Sequence, residues 1–273
     1  MKKKLSLLSL LLCIFINSQT HRFIYELKTE IYGKSDKINM VLDIDNENVK
    51  FYDFKFLEID SLSKKSGENW MNNTVSDQLI IRKINSSENT EFHDNNFDYV
   101  ALKSSDKMNW KIESETKKVD HYILQKATTN FGNRKWVAWF NSSIPFQQGP
   151  YKFQGLPGLI FELEDENKAF VYKLIKSQNL PKQYDTTNFL ETHYGNKPIS
   201  ITQKQYNKMK LDYYSDPVAN MSKVLKDGGT VNINNEKITT QDQLDKKRIF
   251  LQDAIVKFYN PIELDKAIPY PKK

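Results

Sequence analysis

The chain has 273 residues, a formal charge of +6, 39% hydrophobic residues and one cysteine, Cys13. It is long enough to bury one large core or two small ones. Its 40 Lys+Arg and 34 Asp+Glu are scattered, which excludes a nucleic-acid or polybasic membrane footprint, and one cysteine excludes a disulfide framework and a thiolate zinc site.

Lys2, Lys3 and Lys4 precede the apolar run Leu5–Ile16 and the polar stretch Asn17-Ser18-Gln19-Thr20. The run falls short of the ~20 residues of a membrane span. Residues 1–18 are therefore predicted to be a cleaved signal peptide, and 19–273 a single exported domain with no transmembrane span after its removal. Leu12 stands where a lipoprotein signal needs a small residue, so Cys13 is not read as a lipid anchor.

From Phe23 to Lys176 the dominant period is two, that of strands with one buried face. Phe23, Tyr25, Leu27 and Ile31 form one such row; Ile38, Met40, Leu42 and Ile44 form the next. The Asp45–Asn48 cluster turns the chain into Val49–Ile59. Further strands are predicted at 79–84, 99–102, 110–115, 120–127, 135–140, 159–164 and 169–175. The Asn/Ser/Glu-rich stretch 85–96 reads as an exposed loop. Connections too short for crossover helices make this an antiparallel meander.

Beyond Ser177 the sequence becomes polar and then takes helical spacing, over about 200–259. Thr202 can cap a segment with Tyr206, Met209 and Tyr213 on one face, and Asp216-Pro217 opens a second piece that runs to Gly228-Gly229. Thr240 with Gln243 fits a capping box before Leu244, Leu251, Ile255 and Phe258. Ile249–Leu251 and Ala254–Val256 are apolar enough for a terminal strand to remain an alternative. The expected fold is mainly β with C-terminal helices, on a strongly curved antiparallel sheet or half-barrel.

The four histidines, His21, His93, His121 and His193, form no ligand-spaced pair, and no nucleophile elbow, phosphate loop or dinucleotide fingerprint occurs. No catalytic residue, metal ligand or cofactor is assigned. Glu162 and Glu164 fall on the polar face of a strand, with Asp165 and Glu166 in its turn, which is a solvated face rather than a calcium loop. Aromatic residues make up 12% of the chain and concentrate between Phe131 and Phe161. Trp136, Ala138 and Phe140 share one side of a strand and Val137 and Trp139 the other. Such a strand is either buried between two layers or lines a cavity.

Gly155-Leu156-Pro157-Gly158-Leu159-Ile160 follows Gly149-Pro150-Tyr151-Lys152-Phe153-Gln154. Upstream stand His121–Ala127, Arg134–Phe140 and Ile144-Pro145. This run resembles the GLPGLI family of exported Bacteroidetes proteins, whose biochemical role is not established. The similarity is strongest over 120–175 and weaker over 23–60 and at Asn260-Pro261-Ile262-Glu263-Leu264. It implies a cell-envelope protein. Cysteines of such relatives match positions held here by Ile123, Leu124 and Gln125, which removes a thiol role. Gly155, Pro157 and Gly158 also read simply as a tight bend feeding a strand, with Gly158→Val costing about 1–3 kcal/mol.

The first functional expectation is a non-enzymatic envelope protein, periplasmic, outer-envelope or secreted, binding an apolar ligand or a partner protein. Trp136, Trp139, Phe140, Tyr151, Phe153 and Phe161 are the candidate ligand-binding residues. The alternatives are a structural or assembly module, and a hydrolase with a dispersed site that would bring His121, Arg134 and a carboxylate together.

Overall fold

The computed structural model describes residues 19–31, 34–95, 98–233 and 236–271. The predicted signal peptide, with Cys13, lies outside them.

Alternation builds the first strands, because successive side chains on a strand point to opposite faces. β1 (Thr20–Ile31) buries Phe23, Tyr25 and Leu27 on one face. β2 (Lys34–Ile44) pairs antiparallel with it, placing Leu42 opposite Phe23 and Met40 opposite Tyr25. β3 (Asn48–Asp53) continues the row with Phe51 opposite Leu42. The strand expected over 49–59 is divided, since Lys55–Ser66 form helix α1. Adjacent Phe56 and Leu57 both bury, which a period of two cannot achieve on one face.

β4 (Leu79–Lys83), β5 (Glu88–Asn95) and β6 (Asp98–Ser105) complete the first meander. β5 overturns the exposed loop expected at 85–96. Its Phe92 stacks on Tyr99 at 5.5 Å, while Glu91 and His93 share the opposite face. A strand that buries polar groups on one face carries little hydrophobic signal.

β7 (Lys111–Val119), β8 (Tyr122–Phe131), β9 (Arg134–Asn141), β10 (Leu159–Asp165) and β11 (Phe170–Leu180) form a second meander. Gly132 (φ 62) and Asn133 (φ 55) supply the pair of positive φ angles that a two-residue hairpin turn requires. β11 returns beside β1, with Tyr172 opposite Leu27. The sheet therefore joins two meanders along β1 and β11, running from β12 (Ile199–Ser200) to β7 as one open twelve-stranded sheet. Every pairing in it is antiparallel except β12 on β6.

Both halves of the sheet touch the same connection, 142–158. Arg82 of β4 donates to the Tyr151 carbonyl at 2.9 Å, and the Trp136 ring of β9 lies 4.6 Å from Phe153. The sheet wraps around this segment. On the other face of the first meander, Phe56 of α1 stacks on Phe189 at 5.5 Å, above the Arg22–Asp43 ion pair of 2.6 Å.

Helices α2 (Gln203–Ser215), α3 (Ala219–Lys226) and α4 (Gln241–Lys257) follow the sheet. Thr202 with Gln205, and Thr240 with Gln243, form reciprocal capping boxes that satisfy the first free N–H groups. α4 is continuous through 249–256, so the terminal-strand alternative falls. β13 (Val231–Ile233) and β14 (Glu236–Ile238) form a hairpin between α3 and α4. Among the described residues, no helix is long and apolar enough to cross a membrane.

Candidate functional site

The hexapeptide ends the segment that fills the hollow of the sheet. Gly155 N–H donates to the Gln147 carbonyl at 2.9 Å, Ile160 N–H to the Gln148 carbonyl at 3.0 Å, and the Tyr25 hydroxyl to the Ile160 carbonyl at 2.6 Å. Tyr151, Phe153 and Leu156 are buried. This segment acts as an internal plug.

Around the plug five of the six aromatics chosen from the sequence are buried in one core, and the sixth, Trp139, packs against it partly buried. Trp136, Phe140 and Phe153 have no exposed surface, and Tyr151 and Phe161 are also buried. The Trp136 indole N–H donates to the Phe131 carbonyl at 3.0 Å. Trp139 is half-buried on the opposite side of β9, under the Lys117 ammonium at 4.2 Å. Trp136→Ala should therefore cost about 3–5 kcal/mol in chemical denaturation and Trp139→Ala only about 1–2, because part of the second ring stays in water. Equal losses would contradict this partition.

Of the six, Tyr151 borders a cavity of about 350 Å³ between the sheet, α2 and the C-terminal segment. Phe170, Phe258, Ile262, Ile268 and Tyr270 supply apolar surface to it, and Gln78, Glu91, His93 and Tyr206 polar surface. The C-terminal segment is fastened by Arg134, which donates to the Pro261 carbonyl at 2.8 Å and the Ile262 carbonyl at 3.1 Å while pairing with Asp165 at 2.9 Å. Leu264 N–H also donates to the Gly132 carbonyl at 2.8 Å.

Beneath this segment lies a buried charge cluster. Lys152, with no exposed surface, meets Glu263 at 2.5 Å, Glu91 at 2.7 Å and Asp106 at 3.4 Å. Lys266 reaches Glu263 at 2.5 Å and Asp106 at 3.3 Å. Burial, the largest single influence, would raise the pKa values of Glu91 and Asp106; Lys152 and Lys266, joined by His93 at Glu91 and by the Ser104 hydroxyl at Asp106, together outweigh it and hold both below the usual carboxylate range. The Tyr151 hydroxyl donates to Glu263 at 2.6 Å, and burial together with the two glutamates pushes its pKa well up.

Beside that cluster, His93 Nδ1 lies 2.8 Å from Asp77 Oδ1 and 3.3 Å from the Tyr206 hydroxyl, with the Tyr206 ring at 4.6 Å. Burial disfavours its protonation, but Asp77 and Glu91 prevail and its pKa is raised. His121, by contrast, sits on an exposed turn against Tyr122 at 4.0 Å. The structure does not bring it to Arg134, so the constellation expected for a hydrolase does not assemble. Reading β5 as a loop hid Glu91 and His93; their i, i+2 spacing was the available signal. Tyr206 and Lys210, four apart on a helix, were another.

A protein-family model described as "Protein of unknown function (Porph_ging)" matches residues 132–162. The match runs from the β8–β9 turn through the plug to β10. No sequence among the curated proteins matches the chain. Among solved structures, PNGF-II in the C2 and P21 space groups is similar, with a TM-score of 0.50 and 18% identity over 70% of this chain. This chain spans 32% and 33% of those two chains, about a third of PNGF-II, and the likeness is one of fold. The LolA superfamily protein NE2245 from Nitrosomonas europaea aligns at a TM-score of 0.27 and 11% identity, over 66% of this chain and 93% of that one.

Proposed function

We propose that this chain is an exported, GLPGLI-type cell-envelope protein, one domain after its signal peptide, that binds a small amphipathic ligand. The cavity carries this reading. Its volume of about 350 Å³ lies in the range of small-molecule sites, and its apolar surface accompanies a few convergent polar groups. The apolar ligand expected from the sequence is thereby moved from the Trp136 strand to the cavity below the C-terminal segment. Trp136, Phe140, Phe153 and Phe161 serve as the packed support behind it, and Tyr151 joins the two regions.

Val75 stands at the cavity rim and is half exposed, so a larger side chain there can obstruct the mouth without repacking the core. Nile red should bind the native protein, and Val75→Trp should weaken that binding about tenfold or more while leaving thermal stability unchanged. A native protein that binds no probe, or a variant that binds it equally well, would defeat the reading.

A further inference from the structure

Most charges around the cavity are already answered. Lys152 and Lys266 are closed onto Glu91, Asp106 and Glu263. Two cationic positions are not. Lys210, on α2, has no carboxylate at ion-pair distance among the described residues, and its ammonium lies 5.4 Å from the Tyr206 ring. His93 commits Nδ1 to Asp77 at 2.8 Å, and its Nε2 has no hydrogen-bond partner among the described residues. Both residues line the same cavity, and Tyr206, one helical turn before Lys210, packs its ring at a tilt against His93 at 4.6 Å.

We propose that this end of the cavity is a carboxylate-binding subsite, in which His93 Nε2–H and the Lys210 ammonium receive the head of an amphipathic monoanion whose apolar body lies along Phe170, Ile262 and Tyr270. The proposal rests on the cavity being a ligand site and names the class of ligand. At this end the His93 imidazolium and the Lys210 ammonium have only Asp77 as counter-charge, so one carboxylate balances the local charge. The neighbouring cluster of three carboxylates on two ammoniums, and Glu30 on the lining, have no cation to spare for a second negative charge. A dianionic phosphate would leave an uncompensated negative charge in a partly buried site, where it is costly. The groups facing His93 are Asp77 from the loop before β4, Glu91 on its own strand, and Tyr206 and Lys210 from α2. Burial and Lys210 disfavour the imidazolium, whereas Asp77 and Glu91 favour it and prevail. Anion binding is therefore strongest at low pH and declines as pH rises through the raised pKa of His93.

Displacement of Nile red by decanoate, decanol and decyl phosphate tests the subsite. Below the ordinary imidazole value of 6.5 decanoate should bind about tenfold tighter than decanol, and the gap should narrow as pH rises through the raised pKa of His93. Lys210→Ala should remove most of that gap by weakening decanoate alone, and His93→Gln should do the same and abolish the pH dependence. Should His93→Gln fail to fold, Lys210→Ala, at a half-buried helix position, carries the test. Equal affinities for decanoate and decanol would overturn the subsite while leaving the cavity reading intact. Tighter binding of decyl phosphate would overturn the choice of a carboxylate, and failure of Nile red itself to bind would remove both readings.

Discussion

Gly158→Val should destabilise the protein by about 4 kcal/mol or more in urea denaturation, above the 1–3 kcal/mol expected for backbone strain alone. The larger effect comes from close approach. A Cβ at this position would overlap the Asn141 carbonyl oxygen and stand 2.6 Å from its carbonyl carbon and 2.8 Å from Ser142 Cα. Those are backbone atoms at the end of β9 and the start of the plug, and they cannot swing aside as a side chain would. The neighbouring Gly155 separates the two causes. Its φ of 95 is also positive, but a Cβ there meets nothing within 4 Å, so Gly155→Ala should cost only about 1–2 kcal/mol. Similar losses for Gly155→Ala and Gly158→Val would show that the plug does not approach β9 as closely as described.

The matched segment 132–162 contains these contacts, which gives the GLPGLI hexapeptide a physical reason. Gly158 lets the plug leave β9 and re-enter the sheet as β10 without steric conflict. Leu156 fills the hollow, and Ile160 carries the carbonyl that Tyr25 of β1 holds at 2.6 Å.

The sheet was legible where one face is apolar and the other largely polar. Phe23, Tyr25, Leu27, Met40 and Leu42 keep the period of two, and Glu26, Asn39 and Asp43 mark the opposite face as polar although Ile24 and Val41 on that face are buried as well. It was illegible where that contrast fails. Glu91 and His93 give β5 two mixed faces, and adjacent Phe56 and Leu57 break the strand period where α1 begins. Thr202 and Thr240 were readable as helix starts because capping is local chemistry. The candidate site depends on long-range contacts: Tyr206 reaches His93 across 113 residues, and Lys152 reaches Glu263 across 111. No local pattern encodes such meetings. The aromatic density was visible, but whether it lines a ligand site or packs on its own plug depends on residues 142–158 folding inward.

Lys152→Met should cost about 3–5 kcal/mol at neutral pH, because it leaves carboxylates buried without their central cation. Lys152 has no exposed surface, and without it Lys266 would be the one ammonium left paired with Asp106 and Glu263, while Glu91 would keep only the more distant charges of Lys266 and His93. The pH profile distinguishes this from simple loss of packing. In the native protein Glu91 and Asp106 titrate below their ordinary values of 4.5 and 3.8. Their contribution is present above those values and is lost as pH falls through the lower pKa values of the folded state. Without Lys152, burial raises the same pKa values, so protonation relieves the variant and its stability should rise as pH drops from about 7 to about 5. The native protein should change little over that interval and weaken below it. Lys152→Met combined with Glu263→Gln should recover part of the loss at neutral pH, since it removes one unmatched charge. Parallel pH profiles for native and Lys152→Met proteins, or no recovery in the double variant, would mean that Lys152 supports the fold through its hydrocarbon stem and not through its charge.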